Sequence, residues 1–384
     1  MPFDSEFHIP IPRLLLGLII VLAPITIFGL YIGLQASHQT QEMNGAYFRS
    51  ISRGSASMTS QYIAERVSEV VQIANLPYLQ QAVTTANRAY ENVPEATIRT
   101  KAEQIESRWG SADSAELLKN ILGSEVAKSV RRHHELNPKL LSILVVDQAG
   151  ATVVATEKPL HYFQTESEYW RTLSAKGQTK VFISDVHSYE ESPTQYISIS
   201  APVFQEGSGR FIGAVTALVD VSPLFSYLNQ QQIGRTGRVF LIRDDGTVVA
   251  AAGVTPSERV KSEEYIAIRD ALGTLHGRET GYLQATLPNR TPYMIGFADT
   301  GLKSLYPNLA WIVVVSQELT EAEGPIRSMV FFAMLMAVVC VLILSVLGAY
   351  AFLHRKQRFE DIEERKPEEL GEEELPEKAR AKTA

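Results

Sequence analysis

The chain has 384 residues, of which 45% are hydrophobic and 21% charged, and its formal net charge is −7. This length corresponds to about two to three domains, and the 24 glycines and 18 prolines are too few for a collagen-like or wholly disordered chain. The single cysteine, Cys340, excludes an intramolecular disulfide and any multi-cysteine metal centre. The acidic balance argues against a surface that binds nucleic acid through its phosphates.

An uncharged apolar run covers residues 14–34. A helix of this length would cross a hydrocarbon core of ~30 Å, so we predict a transmembrane helix there, preceded by a cytoplasmic N-terminus of residues 1–13. A cleaved signal peptide is the alternative interpretation. The run exceeds the ~7–15 apolar residues of a signal peptide, and the best cleavage site would have the bulky Leu34 at its −3 position.

A second uncharged apolar run covers residues 329–353, and Arg355, Lys356 and Arg358 follow it directly. Basic residues next to a span favour the cytoplasmic side, and Arg13 precedes the first run. We therefore expect a two-pass protein with both termini in the cytoplasm and the central region outside. The lack of cysteine in that region favours a bacterial inner membrane over a eukaryotic cell surface.

Residues 354–384 form a short acidic tail. It is too short for a kinase, cyclase, phosphatase or methyl-accepting domain. We therefore expect that any signal is passed to a separate cytoplasmic signalling protein, or that the tail itself is a docking peptide.

A long helix is predicted over residues 35–76. Apolar residues recur there close to a 3.6-residue period, without a proline before Pro77, as at Tyr47, Ile51, Met58 and Tyr62. The apolar stripe is larger than one packed module requires, which favours a homodimer through this helix.

Two segments nearly one hundred residues apart share a strand–turn–strand pattern. Residues 146–150 align with residues 242–246, and each is followed by Thr-Val-Val-Ala, with one extra residue in the first turn. Residues 210–221 and 309–317 correspond in the same way. This internal repeat predicts an α+β fold with two tandem modules, each an antiparallel sheet with packed helices. We place the membrane-distal module at 77–221 and the membrane-proximal module at 222–318.

These residues resemble the double Cache sensor domain, the tandem PAS-like extracytoplasmic module of bacterial chemoreceptors and sensor kinases. The resemblance covers residues 39–318. It rests on the order of span, long helix, two modules and span, and on four segments: ISDVHSYEESPTQYISISAPVF, GRFIGAVTALVDVSPL, GRVFLIRDDGTVVAAAG and LAWIVVVSQELTEA. It implies that the distal module binds a small molecule such as an amine, an amino-acid-like compound or an organic acid.

Amino-acid-binding members carry a tyrosine, an arginine five residues later, Trp-Tyr, a further tyrosine and a late aspartate. Tyr162 and Asp220 fit the first and last positions, whereas Ser167 stands at the arginine position and Tyr169-Trp170 replaces Trp-Tyr. That arginine would bind a ligand carboxylate through charge-assisted hydrogen bonds. Its replacement argues against a standard α-amino acid. Asp220 could still pair with an ammonium group faced by the aromatic rings.

Three of these residues also have a structural interpretation. Asp220 ends an apolar strand, where an unpaired carboxylate is expensive to bury, and it could instead cap a helix that begins near Pro223. Tyr169 and Trp170 could pack a module helix without contacting any ligand.

Asp185, His187 and Tyr189 lie in a loop-like segment, ISDVHSYEESP, that could close over a pocket. A histidine there could make ligand binding sensitive to pH. The alternative is an ordinary solvated loop.

The sequence contains no nucleophile elbow, HExxH motif, phosphate-binding loop or EF-hand spacing. We therefore expect neither an enzyme nor a bound cofactor or metal. The leading hypothesis is a membrane-anchored sensor in which ligand binding shifts one span relative to the other. The alternative is a membrane-anchored scaffold whose outer modules bind a periplasmic protein and no small ligand.

Overall fold

The computed structural model describes residues 11–175, 181–188, 194–254, 259–273, 280–322 and 324–365. The chain divides into two units, Met43–Ala322 and a second unit of Met1–Glu42 with Glu323–Ala384. The helical segments of the second unit belong to α1 (Ile11–Ala74) and α10 (Gly324–Arg365). Across the described ranges, no helix has both the length and the apolar character of a membrane span. The outer parts of both predicted cytoplasmic termini lie outside the described residues.

The helix α1 ends at Ala74 because the chain leaves the helical conformation before Pro77. Leu76 is extended, with φ −67° and ψ 126°, and Pro77 begins the next helix. A proline disfavours the helical conformation of the residue before it, which explains this break. The predicted long helix therefore ends within two residues of the expected boundary.

Residues 77–221, called the distal half after the predicted module and without regard to the membrane, form helices followed by a sheet. The helices are α2 (Pro77–Arg88), α3 (Glu95–Glu106), α4 (Ala115–Gly123), α5 (Glu125–Leu136) and α6 (Glu168–Ser174). The strands are β1 (Leu140–Asp147), β2 (Thr152–Ala155), β3 (Phe182–Ile183), β4 (His187–Ser188), β5 (Gln195–Phe204) and β6 (Phe211–Asp220). They form one antiparallel sheet in the order β2-β1-β6-β5-β3, with β4 also paired to β5.

The proximal half repeats this arrangement after the connecting helix α7 (Ser222–Gln230). Its elements are β7 (Arg238–Arg243), β8 (Val248–Ala250), α8 (Glu263–Gly273), β9 (Thr280–Thr286), β10 (Pro292–Asp299), β11 (Trp311–Glu318) and α9 (Leu319–Ala322). The antiparallel sheet has the order β8-β7-β11-β10-β9. In both sheets the first hairpin lies at one edge, and its first strand pairs with the last strand. The predicted α+β fold with two antiparallel sheets beside a long helix is therefore confirmed.

One hydrophobic core joins the two halves of this unit. It includes Ile63 from α1, Val145 from the distal sheet, Leu228 from α7 and Trp311 from the proximal sheet, all fully buried. The Trp311 ring packs edge-on against Phe225 of α7, with 6.1 Å between ring centroids. Because successive strand residues face opposite sides of a sheet, each sheet also packs a second apolar layer on its other face.

Candidate functional site

A cavity of about 620 Å³ lies in the distal half, between helices α2, α4 and α5 and the β1–β2 hairpin. This volume is within the range of ~300–1,000 Å³ that is typical of small-molecule sites. The α2 residues that line it follow the three- and four-residue spacing of one helix face: Tyr78, Gln81, Ala82, Thr85 and Ala86. Leu117, Asn120 and Ile121 contribute one face of α4 in the same way.

One carboxylate lines this cavity, that of Asp147 at the end of β1. Asp147 is only 2% exposed. The Tyr90 hydroxyl donates a hydrogen bond to Oδ2 at 2.5 Å, and the backbone N–H groups of Ala149 and Ala151 donate to Oδ1 at 2.9 and 3.0 Å. Burial raises the pKa of Asp147, because it disfavours the charged carboxylate, and these hydrogen bonds offset that effect only in part.

Tyr162 also lines the cavity and is held by a set of short contacts. The Thr152 hydroxyl donates to the Tyr162 carbonyl at 2.7 Å, and the Tyr162 N–H donates to Glu106 Oε2, also at 2.7 Å. The Tyr162 ring lies 5.4 Å from the Trp109 ring. Burial, and then the negative charge of Asp147, raise the pKa of Tyr162 to about 12. Its phenol is therefore neutral at physiological pH.

Asn87 fixes the turn that carries Asp147 against helix α2. Its side-chain amide donates to the Ile212 carbonyl at 2.8 Å and accepts the Gln148 N–H at 3.1 Å. Gly150 has a φ of +87°, which favours glycine, and so allows the chain to turn back within three residues of Asp147. Sequence reasoning missed Tyr90, Asp147 and Asn87 as site residues, although the repeat placed Asp147 at the hairpin turn.

The structure places the predicted site residues in separate parts of the unit. Tyr162 lies at the cavity, whereas Tyr169 and Trp170 are buried in a cluster with Leu173 and Phe182 on another part of the distal sheet. The Asp220 carboxylate accepts the backbone N–H at the start of α7 at 2.8 Å. The N-cap residue of α7 is Val221, so Asp220 stabilises the turn that leads into this helix and does not occupy the cap position itself.

The predicted loop residues lie where the two halves of the unit meet. Asp185 and His187 line a cleft of about 580 Å³ together with residues of the proximal hairpin. His187 also packs against the Tyr196 ring, 5.7 Å between centroids. Tyr189 lies outside the described residues. The structure does not bring the described members of the predicted set together into one site.

The electrostatic character of the distal cavity is set by one carboxylate and three phenols. Tyr78, Tyr90 and Tyr162 line it with Asp147, and none of the lining residues in the described part of the chain is Lys or Arg. A carboxylate beside aromatic rings favours a cation. Within those same described ranges, no group of three or more His, Cys, Asp or Glu residues is placed to hold a metal ion.

A comparison with models of protein families agrees with this fold of two similar antiparallel sheets. Residues 36–326 match the model of the Cache domain family in its double form, dCache_1. This match covers most of the chain, and the protein therefore belongs to the Cache domain family. A search of curated proteins found no match.

Solved structures with a similar fold include ligand-binding domains of bacterial chemoreceptors. That of the Pseudomonas aeruginosa amino-acid chemoreceptor PctC, solved with GABA, has a TM-score of 0.44 and 17% identity, over 71% of this chain and 99% of that one. That of PctB from the same organism, solved with L-Arg, has a TM-score of 0.43 and 16% identity, over 73% and 97%. That of Campylobacter jejuni Tlp3, solved with L-valine, has a TM-score of 0.48 and 12% identity, over 75% and 97%.

Proposed function

We propose that this Cache protein is a sensor whose distal half binds a small organic amine, in its cationic form, in the cavity at Asp147. The observation that supports this most strongly is the buried Asp147 carboxylate, which lines a cavity of ligand size that carries no basic residue among its described lining. Family membership supports the sensory role, and the cavity supports the class of ligand.

The hydrogen bonds of Asp147 leave room for a ligand. Each carboxylate oxygen offers about two acceptor positions. The N–H bonds of Ala149 and Ala151 fall on Oδ1, whereas among the described residues Oδ2 accepts the Tyr90 hydroxyl alone. An ammonium group at the remaining position would form a charge-assisted hydrogen bond and compensate for the burial of the charge. The rings of Tyr78 and Tyr162 would add cation–π attraction.

The same geometry disfavours the other ligands implied by the sequence. An organic acid would place a second negative charge near Asp147, at a cost that burial increases. An amino-acid-like ligand would need a cationic partner for its carboxylate, and the described lining offers none. Among amines, amino-acid-like compounds and organic acids, the geometry of this cavity therefore favours amines.

The proposal includes membrane anchoring and signalling. The uncharged runs at 14–34 and 329–353, and the basic residues after the second run, support a two-pass protein of a bacterial inner membrane with its central region outside. Two of the helices that line the cavity, α2 and α4, follow α1 in the chain. A ligand can shift the position of α1 only by binding one arrangement more tightly than another, typically with a coupling of ~1–3 kcal/mol. We propose that a homodimer passes this shift to a separate cytoplasmic protein.

Thermal-shift measurements on the full chain test the ligand class. Putrescine and butylamine are compared with butyrate, for the wild type, for Asp147→Asn and for the control Asp220→Asn, whose carboxylate accepts the Ser222 N–H at the start of α7. We expect the amines to raise the melting temperature of the wild type and of Asp220→Asn, but not that of Asp147→Asn. An amine effect that persists in Asp147→Asn would contradict the proposal. No amine effect at all, with a stoichiometric protein partner on purification, would favour the scaffold alternative.

A further inference from the structure

The cleft between the two halves of the unit is a second cavity with a different charge pattern. It has a volume of about 580 Å³ and is lined by residues 185–188 of the distal half and by residues of the β7–β8 hairpin and Arg259 of the proximal half. Two guanidinium groups and an imidazole line it, from Arg243, Arg259 and His187. No residue of the Asp147 cavity contributes to it, so a ligand site in this cleft does not depend on the proposed function.

Arg243 already binds a carboxylate in this cleft. Its Nη1 pairs with Oδ2 of Asp185, which reaches across from the distal half. The other Asp185 oxygen accepts the Val186 N–H at 2.9 Å. An arginine carries five N–H donors in a planar fork, and within the described ranges the remaining donors of Arg243 have no partner. The side chain is 30% exposed, so these donors can be reached from the cleft.

Arg259 adds a cation that the described residues do not compensate. Its guanidinium forms no hydrogen bond or ion pair in the part of the chain that the structure describes, and its backbone φ is +48°, an uncommon value for a residue with a side chain. The other acid of the cleft, Asp245, is bound by Lys261 at 2.9 Å and by the Thr247 N–H, also at 2.9 Å. Both acids of the cleft therefore have a cationic partner, whereas Arg259 has no anionic one among the described residues.

We propose that this cleft is a second ligand site, which takes a small organic anion with carboxylate groups between Arg243 and Arg259. Asp185 competes with a bound anion for the charge of Arg243, so a bound anion weakens a contact between the two halves. A second polar contact between described residues of the two halves, from the Asn308 amide to the Ile183 carbonyl at 3.0 Å, does not involve either arginine. Binding of the anion would therefore loosen one polar link without breaking the shared hydrophobic core.

Isothermal titration of the full chain with succinate tests this site. We expect succinate to bind the wild type and Arg259→Gln to bind it about tenfold to a hundredfold more weakly, because one charged hydrogen-bonding group is lost. Asp185→Asn should bind succinate more tightly than the wild type, because the competing carboxylate is gone. Arg235→Gln is the matched control, since this arginine is 92% exposed and pairs with Glu321 outside the cleft. Its affinity for succinate should not change.

A purely structural role for the Asp185–Arg243 pair predicts a different result. Asp185→Asn would then lower the melting temperature without creating tighter succinate binding. Absence of succinate binding in both the wild type and Asp185→Asn, or equal affinity in Arg259→Gln and Arg235→Gln, would overturn the proposal. Asp147→Asn should keep its affinity for succinate whether or not amines bind the distal cavity, which separates this test from that of the proposed function.

Discussion

Replacing Tyr90 with phenylalanine removes a hydrogen bond from the nearly buried carboxylate of Asp147. Asp147 is 2% exposed, and its Oδ2 accepts the Tyr90 hydroxyl at 2.5 Å. Loss of a partner from a buried polar group costs about 1–3 kcal/mol of unfolding free energy, and more when that group is charged. We therefore expect Tyr90→Phe to lower the free energy of unfolding by about 1–3 kcal/mol at neutral pH.

The cost should depend on pH in a defined direction. The Tyr90 bond lowers the pKa of Asp147 against the larger effect of burial, so Tyr90→Phe raises this pKa further. A protonated Asp147 carries no charge, so a hydrogen bond donated to its Oδ2 stabilises it less than it stabilises the carboxylate. The loss of stability should therefore be largest above the folded-state pKa of Asp147 and should shrink as the pH falls below it.

A double-mutant cycle with Asp147→Asn isolates this interaction. Urea unfolding of the full chain, followed by tryptophan fluorescence, gives the free energies of the two single variants and the double variant. Tyr78→Phe is the control, because this phenol lines the same cavity and has no hydrogen bond within the described residues. We expect a coupling of about 1–3 kcal/mol for the Tyr90–Asp147 pair. An equal loss from Tyr90→Phe in the wild-type and Asp147→Asn backgrounds would show that the phenol does not stabilise the carboxylate.

Three further predictions concern packing, the turn before α7, and pH. Gly296→Ala should destabilise the protein by about 1–3 kcal/mol in urea unfolding, because the added Cβ would lie 2.7 Å from the Phe48 backbone. Gly54→Ala is the control. Open space surrounds Gly54, so this variant should stabilise α1 by about 0.5–1 kcal/mol. Asp220→Ala should cost about 0.5–1.5 kcal/mol by removing the acceptor of the Ser222 N–H, with no change in amine affinity by calorimetry. Amine affinity, titrated from neutral to acidic pH, should fall as the raised pKa of Asp147 is passed and the carboxylate becomes protonated.

The sheets could be predicted because their signals are local. Apolar strands, a turn and Thr-Val-Val-Ala occur twice in the sequence, and each copy forms an edge hairpin in the same position of its sheet. The second repeated segment forms β6 in one sheet and β11 in the other, and the structure shows that each pairs with the first strand of its hairpin. Patterns of this kind need no knowledge of the side chains that pack against them.

The candidate site could not be predicted in the same way. Asp147 and Asp220 give the same signal, an acidic residue at the end of an apolar strand. Asp220 binds the backbone two residues later, whereas Asp147 receives a phenol from a residue 57 positions away in the chain. Only the packing of α2 and the following turn against the hairpin separates the two roles, and no local pattern encodes that contact.

The buried face of α1 shows a second limit of sequence reasoning. The apolar pattern predicted Tyr47 as part of the packed stripe, but this residue is 55% exposed. Ser52, Ser55 and Thr59 are buried instead. The helix lies so close to β10 that a Cβ at Gly296 would clash with the Phe48 backbone, and small residues fit such a close approach better than large ones. Hydrophobicity alone does not reveal how closely two elements approach.

A crystal structure of the full chain with putrescine is the sharpest test of the amine site. We expect an ammonium nitrogen within hydrogen-bond distance of the Asp147 carboxylate, with the tyrosine rings of the cavity around the carbon chain. Putrescine bound against Tyr169 and Trp170, or at any place away from Asp147, would contradict the assignment of this cavity as the amine site.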